Sequence, residues 1–292
     1  MKYGIHYIYW QKDLPCGSYL PFLPRAKKAG FDVLELGDYL VFDLSEAQMT
    51  ELASAARDLD LELLLGLDPL QDKSLTALDP AVREAGIAFY AEGLRRAKKL
   101  GMRMLGGHFL NARPAGPDAQ MHDREWALGL DSVRKICDIA LDAGMQLNLE
   151  AANRFQSHLL TTSAETCRFV DELDRPNAKV LLDSFHMNIE ESSMFHAILT
   201  AGKRLGHFHM VENHRGLPGT GHIDWAGVRD ALQAIGYDGV VSMEALVRYG
   251  GNLGDCANIW RDLTGNADDE QLDREAAASL ASMRNLFANG RR

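Results

Sequence analysis

The sequence predicts an α/β fold, a closed (β/α)8 barrel of the TIM type, running as one domain over residues 1–292 with a C-terminal helical extension. Three observations lead there. A short apolar run followed by a longer amphipathic stretch recurs eight times. Several helix-to-strand junctions share one turn chemistry, KAG–FDVLEL, KLG–MRMLGG, DAG–MQLNLE and AIG–YDGVVSME. A barrel of this kind needs about 250 residues, and the chain has 292.

Strands are expected at 3–8, 32–36, 61–67, 103–107, 145–150, 178–183, 206–210 and 239–244. Runs such as KVLLD and GVVSME are almost continuously apolar, as strands covered on both faces must be. Helices are expected at 45–60, 80–100, 123–144, 163–173, 224–236 and 268–288. Ser45 is placed to cap the first of these, and glycines stand where several would stop. An open doubly wound sheet is the rival fold. It is disfavoured because no GxGxxG follows the first strand and the rhythm never breaks into a second domain.

Composition narrows the function. The net charge of −10 opposes binding to nucleic acid or to an anionic membrane surface. No apolar run is long enough to span a bilayer, and the N-terminus lacks the pattern of a signal peptide. Four scattered cysteines, Cys16, Cys137, Cys167 and Cys256, read as reduced thiols of a cytoplasmic protein rather than a disulfide framework.

Four strand ends carry the chemistry. Strand five ends in NLE at Glu150 and strand six in LLD at Asp183. HFH places His209 near the end of strand seven, and SME places Glu244 at the end of strand eight. The intervals are 33, 26 and 35 residues, one βα unit each, so four neighbours converge at the face where barrels build active sites. Three carboxylates and an imidazole repel or desolvate one another unless a cation compensates them. Oxygen-rich donors suit one divalent ion, Mn2+ first, with Co2+ or Mg2+ as alternatives, over a thiolate zinc site.

At these residues the chain resembles a known family. EAANRF (150–155), LLDSFHMNIEE (181–191), GHFHMVENHRGLPGTG (206–221) and the SME at Glu244 are similar to the D-tagatose 3-epimerases, which include the D-psicose (allulose) and L-ribulose 3-epimerases. YGIHYIYW (3–10) and IWRDLTGNADDEQLD (259–273) extend the resemblance nearly end to end. It implies a xylose-isomerase-like barrel and a metal-dependent isomerase that inverts C3 of a free ketose through an enediolate. The ketose would be of the D-tagatose, D-psicose/D-fructose or L-ribulose type. Glu150, Asp183, His209 and Glu244 would hold the ion, and Glu150 and Glu244 would also be the acid–base pair. His186 and Arg215 would hold the substrate near O1 to O3, and a homodimer or homotetramer is implied.

The chain departs from the family pattern at Gln156, where a glutamate is usual, and at Ala245–Leu246, where PF is usual. It also departs at His6, often Phe or Tyr, and near Gly66. Gln156 and His6 are therefore candidate substrate-binding positions that bear on which sugar is accepted, and His108, which follows strand four, is either a further pocket-lining candidate or a solvated loop histidine. The rival functions are an aldose–ketose isomerase on the same site, a metal-dependent nuclease, and a sugar-binding barrel without activity.

Other positions take plainer expectations. His207 is expected to face away from His209 and pack in the core, and Tyr7 and Trp10 to pack beside strand one. Glu190–Glu191 read as the acidic first turn of the sixth helix, and Glu212 either as a brace on His209 or as an exposed residue.

Overall fold

The computed structural model describes residues 1–68, 71–110 and 119–289. Eight parallel strands close on themselves in sequence order: β1 (Lys2–His6), β2 (Val33–Gly37), β3 (Glu62–Gly66), β4 (Met104–Gly107), β5 (Gln146–Ala151), β6 (Ala178–Asp183), β7 (Leu205–His209) and β8 (Val240–Met243). The seam pairs Lys2 with Val240 and Ile5 with Met243. The expected barrel and all eight strands are present.

Between the strands lie α1 (Phe22–Ala29), α2 (Asp38–Val41), α3 (Glu46–Asp58), α4 (Pro80–Lys99), α5 (Ala119–Asp142), α6 (Ser163–Leu173), α7 (Ser184–Glu190), α8 (Met194–Ala201) and α9 (Trp225–Ala234). Then follow α10 (Gly251–Cys256) and α11 (Asp269–Asn289). The last helix packs on α1 and α9, the two that flank the seam, and Arg25 of α1 holds Asp273 at 2.8 Å. The shared junction chemistry is visible in the backbone: Gly30, Gly101, Gly144 and Gly236 all adopt positive φ, between 67° and 98°. That conformation is cheap only for glycine and turns each helix back into the next strand.

The strands are buried almost throughout, as their apolar runs require. Most of the core lies between strands and helices in one large cluster, while Val33, Leu64, Met104 and Val240 form a second from strands alone. Cys16, Cys137 and Cys167 are buried free thiols; the Cys256 side chain lies outside the described residues. Among the described residues no helix is long and apolar enough to cross a membrane.

Ser45 caps α3 as expected. Its Oγ accepts from the Gln48 N–H at 3.3 Å, and the Gln48 side chain accepts from the Ser45 N–H at 2.9 Å. Removing such a cap costs about 1 kcal/mol. Ser45→Ala should therefore lower Tm by about 2–4 °C, read by thermal unfolding, with turnover unchanged.

Two local expectations need correction. The first strand ends at His6, not Ile8, and Tyr7–Trp10 form a single 3-10 turn. His6 Nδ1 accepts from the Ile8 N–H and opens that turn, which an apolar aromatic run does not announce. Glu190 is the last residue of α7 rather than the start of a helix, because α7 begins directly at the end of β6. Its carboxylate holds Arg154 at 2.8 and 2.9 Å, and Glu191 accepts from the Ser163 N–H.

Candidate metal and sugar site

The ends of β5 to β8 deliver four polar side chains to one place. Glu150 lies within β5, Asp183 ends β6, His209 ends β7 and Glu244 follows β8 by one residue. One ligand-type atom from each lies within 4.8 Å of all the others. His209 Nδ1 sits 3.8 Å from Glu150 Oε1, 3.6 Å from Asp183 Oδ2 and 3.6 Å from Glu244 Oε2. These spacings are too long for hydrogen bonds. They match atoms sharing an ion with bonds of about 2.0–2.6 Å.

Local structure explains why each group points inward. Asp183 caps α7 with Oδ1, which accepts from Phe185 N at 2.6 Å, and so turns Oδ2 toward the centre. Ser184 donates to the Val211 carbonyl at 2.7 Å and accepts from the Val211 N–H at 2.8 Å, tying the end of β7 to β6. Arg215 has φ +65°, an uncommon conformation for a residue with a side chain. Its guanidinium lies 3.0 Å from Glu244 Oε2, 3.4 Å from Asp183 Oδ2 and 4.0 Å above the Phe185 ring.

The electrostatics call for a cation. Burial pushes Glu150 well above the ordinary carboxylate range, and the Glu244 and Asp183 charges add to the effect. Burial also pushes Glu244 up to about 7. For Asp183 burial acts the same way, but His209, His186 and Arg215 outweigh it and hold the carboxyl low. His209 Nδ1 is buried without a hydrogen-bond partner and faces three carboxylates. A bare imidazole nitrogen among carboxyl oxygens is the donor set of a divalent ion, so the residues present fit one.

A cavity with an open mouth surrounds the cluster. All nine residues singled out from the sequence reach this region. Glu150, His209, Glu244, His186, Arg215, Gln156, His6 and His108 line the cavity, and Asp183 stands directly behind it. His186 Nδ1 accepts from the Asn153 backbone and side-chain N–H groups at 3.2 and 2.7 Å, so its Nε2 carries the hydrogen. That Nε2 lies 3.6 Å from Glu150. Burial keeps His186 well below the ordinary histidine range and lowers His6 to about 4, so both are neutral donors. His108 Nδ1 faces Asp68 at 3.3 Å, while its Nε2 lies 3.6 Å from Glu150.

Comparisons agree with this geometry. The family described as "Xylose isomerase-like TIM barrel" matches residues 23–283. A D-psicose 3-epimerase of Agrobacterium fabrum is 38% identical over 285 residues, covering 97% of this chain and 98% of the relative. An L-ribulose 3-epimerase of Mesorhizobium japonicum is 33% identical, covering 96% and 93%. The crystal structure of D-psicose 3-epimerase with D-tagatose from Clostridium cellulolyticum H10 superposes with a TM-score of 0.94 at 38% identity, covering 98% of this chain and 99% of that one. The chain belongs to the ketose 3-epimerases of the xylose isomerase-like barrel family.

Within this ketose 3-epimerase, two expectations change and one residue is new. His207 does not face away from His209: residues two apart on a strand share a face, and both rings reach the same carboxylate, that of Glu35. Glu212 is neither exposed nor a brace on His209. It is fully buried and accepts from Gly219 N, Ile223 N and Trp225 Nε1, shaping the loop that carries Arg215. Tyr7 and Trp10 are buried packing residues, as expected, with Trp10 Nε1 donating to Asp273 at 2.9 Å. Glu35, on β2 and 2% exposed, escaped the sequence reading. An acid inside the buried run VLEL was its signal, because such a group needs a partner.

Proposed function

We propose that the protein is a divalent-metal-dependent isomerase that inverts C3 of a free ketose. What carries the reading is the convergence of Glu150, Asp183, His209 and Glu244 in the cavity of a barrel related to ketose 3-epimerases along its whole length.

Epimerisation at C3 removes a proton made acidic by the neighbouring C2 ketone and returns one to the opposite face. Glu150, Asp183, His209 and Glu244 would hold one divalent ion, Mn2+, Co2+ or Mg2+, which would supply electrostatic stabilisation of the negative charge that passes from C3 to O2. Glu150 and Glu244 approach from strands three places apart in the ring. One takes the C3 proton while the other delivers a proton to the second face of the enediolate, and the roles exchange with direction. Glu150 is buried and Glu244 partly so, and burial favours the protonated form of each.

His186 donates its Nε2–H to an oxygen at the C1–C3 end, and Arg215 adds positive charge beside it. Gln156, His6 and His108 line the remaining wall and meet the other hydroxyls. The ketose is unphosphorylated in this reading, since Arg215 is the cation placed at the reacting end. A cytoplasmic homodimer or homotetramer completes the proposal. It is supported by the buried free thiols and by the family resemblance.

Incubating D-psicose, D-fructose, D-tagatose or L-ribulose with the protein and Mn2+ in heavy water tests the assignment. The expected product is the C3-epimeric ketose carrying deuterium at C3. An aldose product would reassign the site to an aldose–ketose isomerase.

A further inference from the structure

We infer that Glu35 and His207 are positioning residues that fix the ring of His209 for ion binding, an inference that rests on His209 being a ligand. Glu35 Oε1 lies 3.3 Å from His209 Nε2, and Oε2 lies 3.2 Å from His207 Nε2. His207 Nδ1 in turn lies 3.1 Å from the Val240 carbonyl oxygen. All three residues are 3% exposed or less. The chain of contacts runs from the β8 backbone through β7 to β2 and back to β7, so the carboxylate is gripped from both sides.

The hydrogen-bond inventory sets the consequence. An ionised carboxylate only accepts, so the nitrogen that His209 turns toward Glu35 carries a hydrogen. The lone pair is then left on Nδ1, the buried atom that meets Glu150, Asp183 and Glu244. Without Glu35 the ring is free to rotate about its last bond or to place its hydrogen on the wrong nitrogen. A ligating histidine commonly donates its other N–H to a carboxylate, and losing that partner costs roughly 10–100-fold in metal affinity.

Glu35, His207 and His209 also meet the geometric criterion for a cation site of their own. Their contacts of 3.2–3.3 Å are hydrogen-bond distances, and both Glu35 oxygens are already engaged. The trio therefore orients one site rather than forming a second.

The test is Mn2+ titration of metal-stripped protein by calorimetry. Wild type should bind one ion per chain. Glu35→Ala should bind it about 10–100-fold more weakly, with KM for the ketose at saturating ion unchanged. Glu35→Gln, whose amide oxygen can still accept from His209 and whose NH2 can face His207, should recover most of the affinity. Equal affinity in wild type and Glu35→Ala overturns the inference, as does an equal loss in Glu35→Ala and Glu35→Gln. Two ions in wild type with one lost in Glu35→Ala overturns it in favour of a second metal site. A wild type that binds no ion removes the proposed function itself. Should Glu35→Ala fail to fold, NMR of the Co2+-loaded wild type decides. A slowly exchanging, paramagnetically shifted histidine N–H is expected, and its absence contradicts the role of Glu35.

Discussion

Glu150→Gln and Glu244→Gln should each lower kcat at saturating metal by about 10²–10⁴-fold, the usual contribution of a positioned acid–base group. Neither change should unfold the protein. Glutamine keeps the shape of glutamate, and it replaces a carboxyl that burial and its neighbours already disfavour as an anion. The two-base scheme makes a sharper statement than loss of turnover. With one carboxyl gone, the remaining one can still take the C3 proton from its own face and return a solvent deuteron there. Each variant should then exchange deuterium into C3 of one epimer without inverting it, and the two variants should select opposite epimers. Mass spectrometry of recovered sugars measures this. Normal epimerisation by either variant removes the scheme.

Removing the ion should abolish turnover and loosen the fold. Glu150 and Asp183 are buried with the partly buried Glu244 beside them, and His209, His186 and Arg215 offset their charge in the metal-free protein. An ion at 100 times its Kd adds about 2.7 kcal/mol of stability, which corresponds to roughly 5–10 °C in Tm for a chain of this size. The pH dependence has a definite sign. Glu244 rises from its ordinary 4.5 to about 7 when no ion is bound, so below that value it holds a proton that the ion must displace. Apparent affinity should fall as pH falls through 7, and the gain in Tm from added Mn2+ should shrink with it. Thermal unfolding with and without chelator at pH 5.5 and 8 measures both effects. An equal gain at the two pH values would contradict the assignment of Glu244 as a ligand.

The barrel was legible because its strands advertise themselves. A run such as KVLLD, buried on both faces and ending in one acid, can be read one segment at a time, and Glu150, Asp183, His209 and Glu244 all sit where such runs stop. The short helices after β6 were not legible. Seven or eight residues give too little periodicity to separate a helix from a loop, so Glu190 reads from the sequence as the start of a helix that it in fact ends.

Glu35 was hidden for another reason. Its partners lie 172 and 174 residues away, and nothing within β2 says which side chains an inward acid will meet. His207 carried the missing clue. Two histidines at i and i+2 share a face, so a second buried imidazole beside His209 required an acceptor inside the barrel. Asn153 and Ser184 were invisible in the same way, because each acts by hydrogen bonds to a neighbouring strand end that only the closed ring brings close.

Anomalous diffraction from crystals soaked in Mn2+ tests the central claim most directly. The account predicts a single strong peak within about 2.6 Å of oxygens of Glu150, Asp183 and Glu244 and of Nδ1 of His209, and loss of that peak in Asp183→Asn. A peak elsewhere in the barrel, or none in a crystal whose protein still epimerises ketoses without metal, would contradict it.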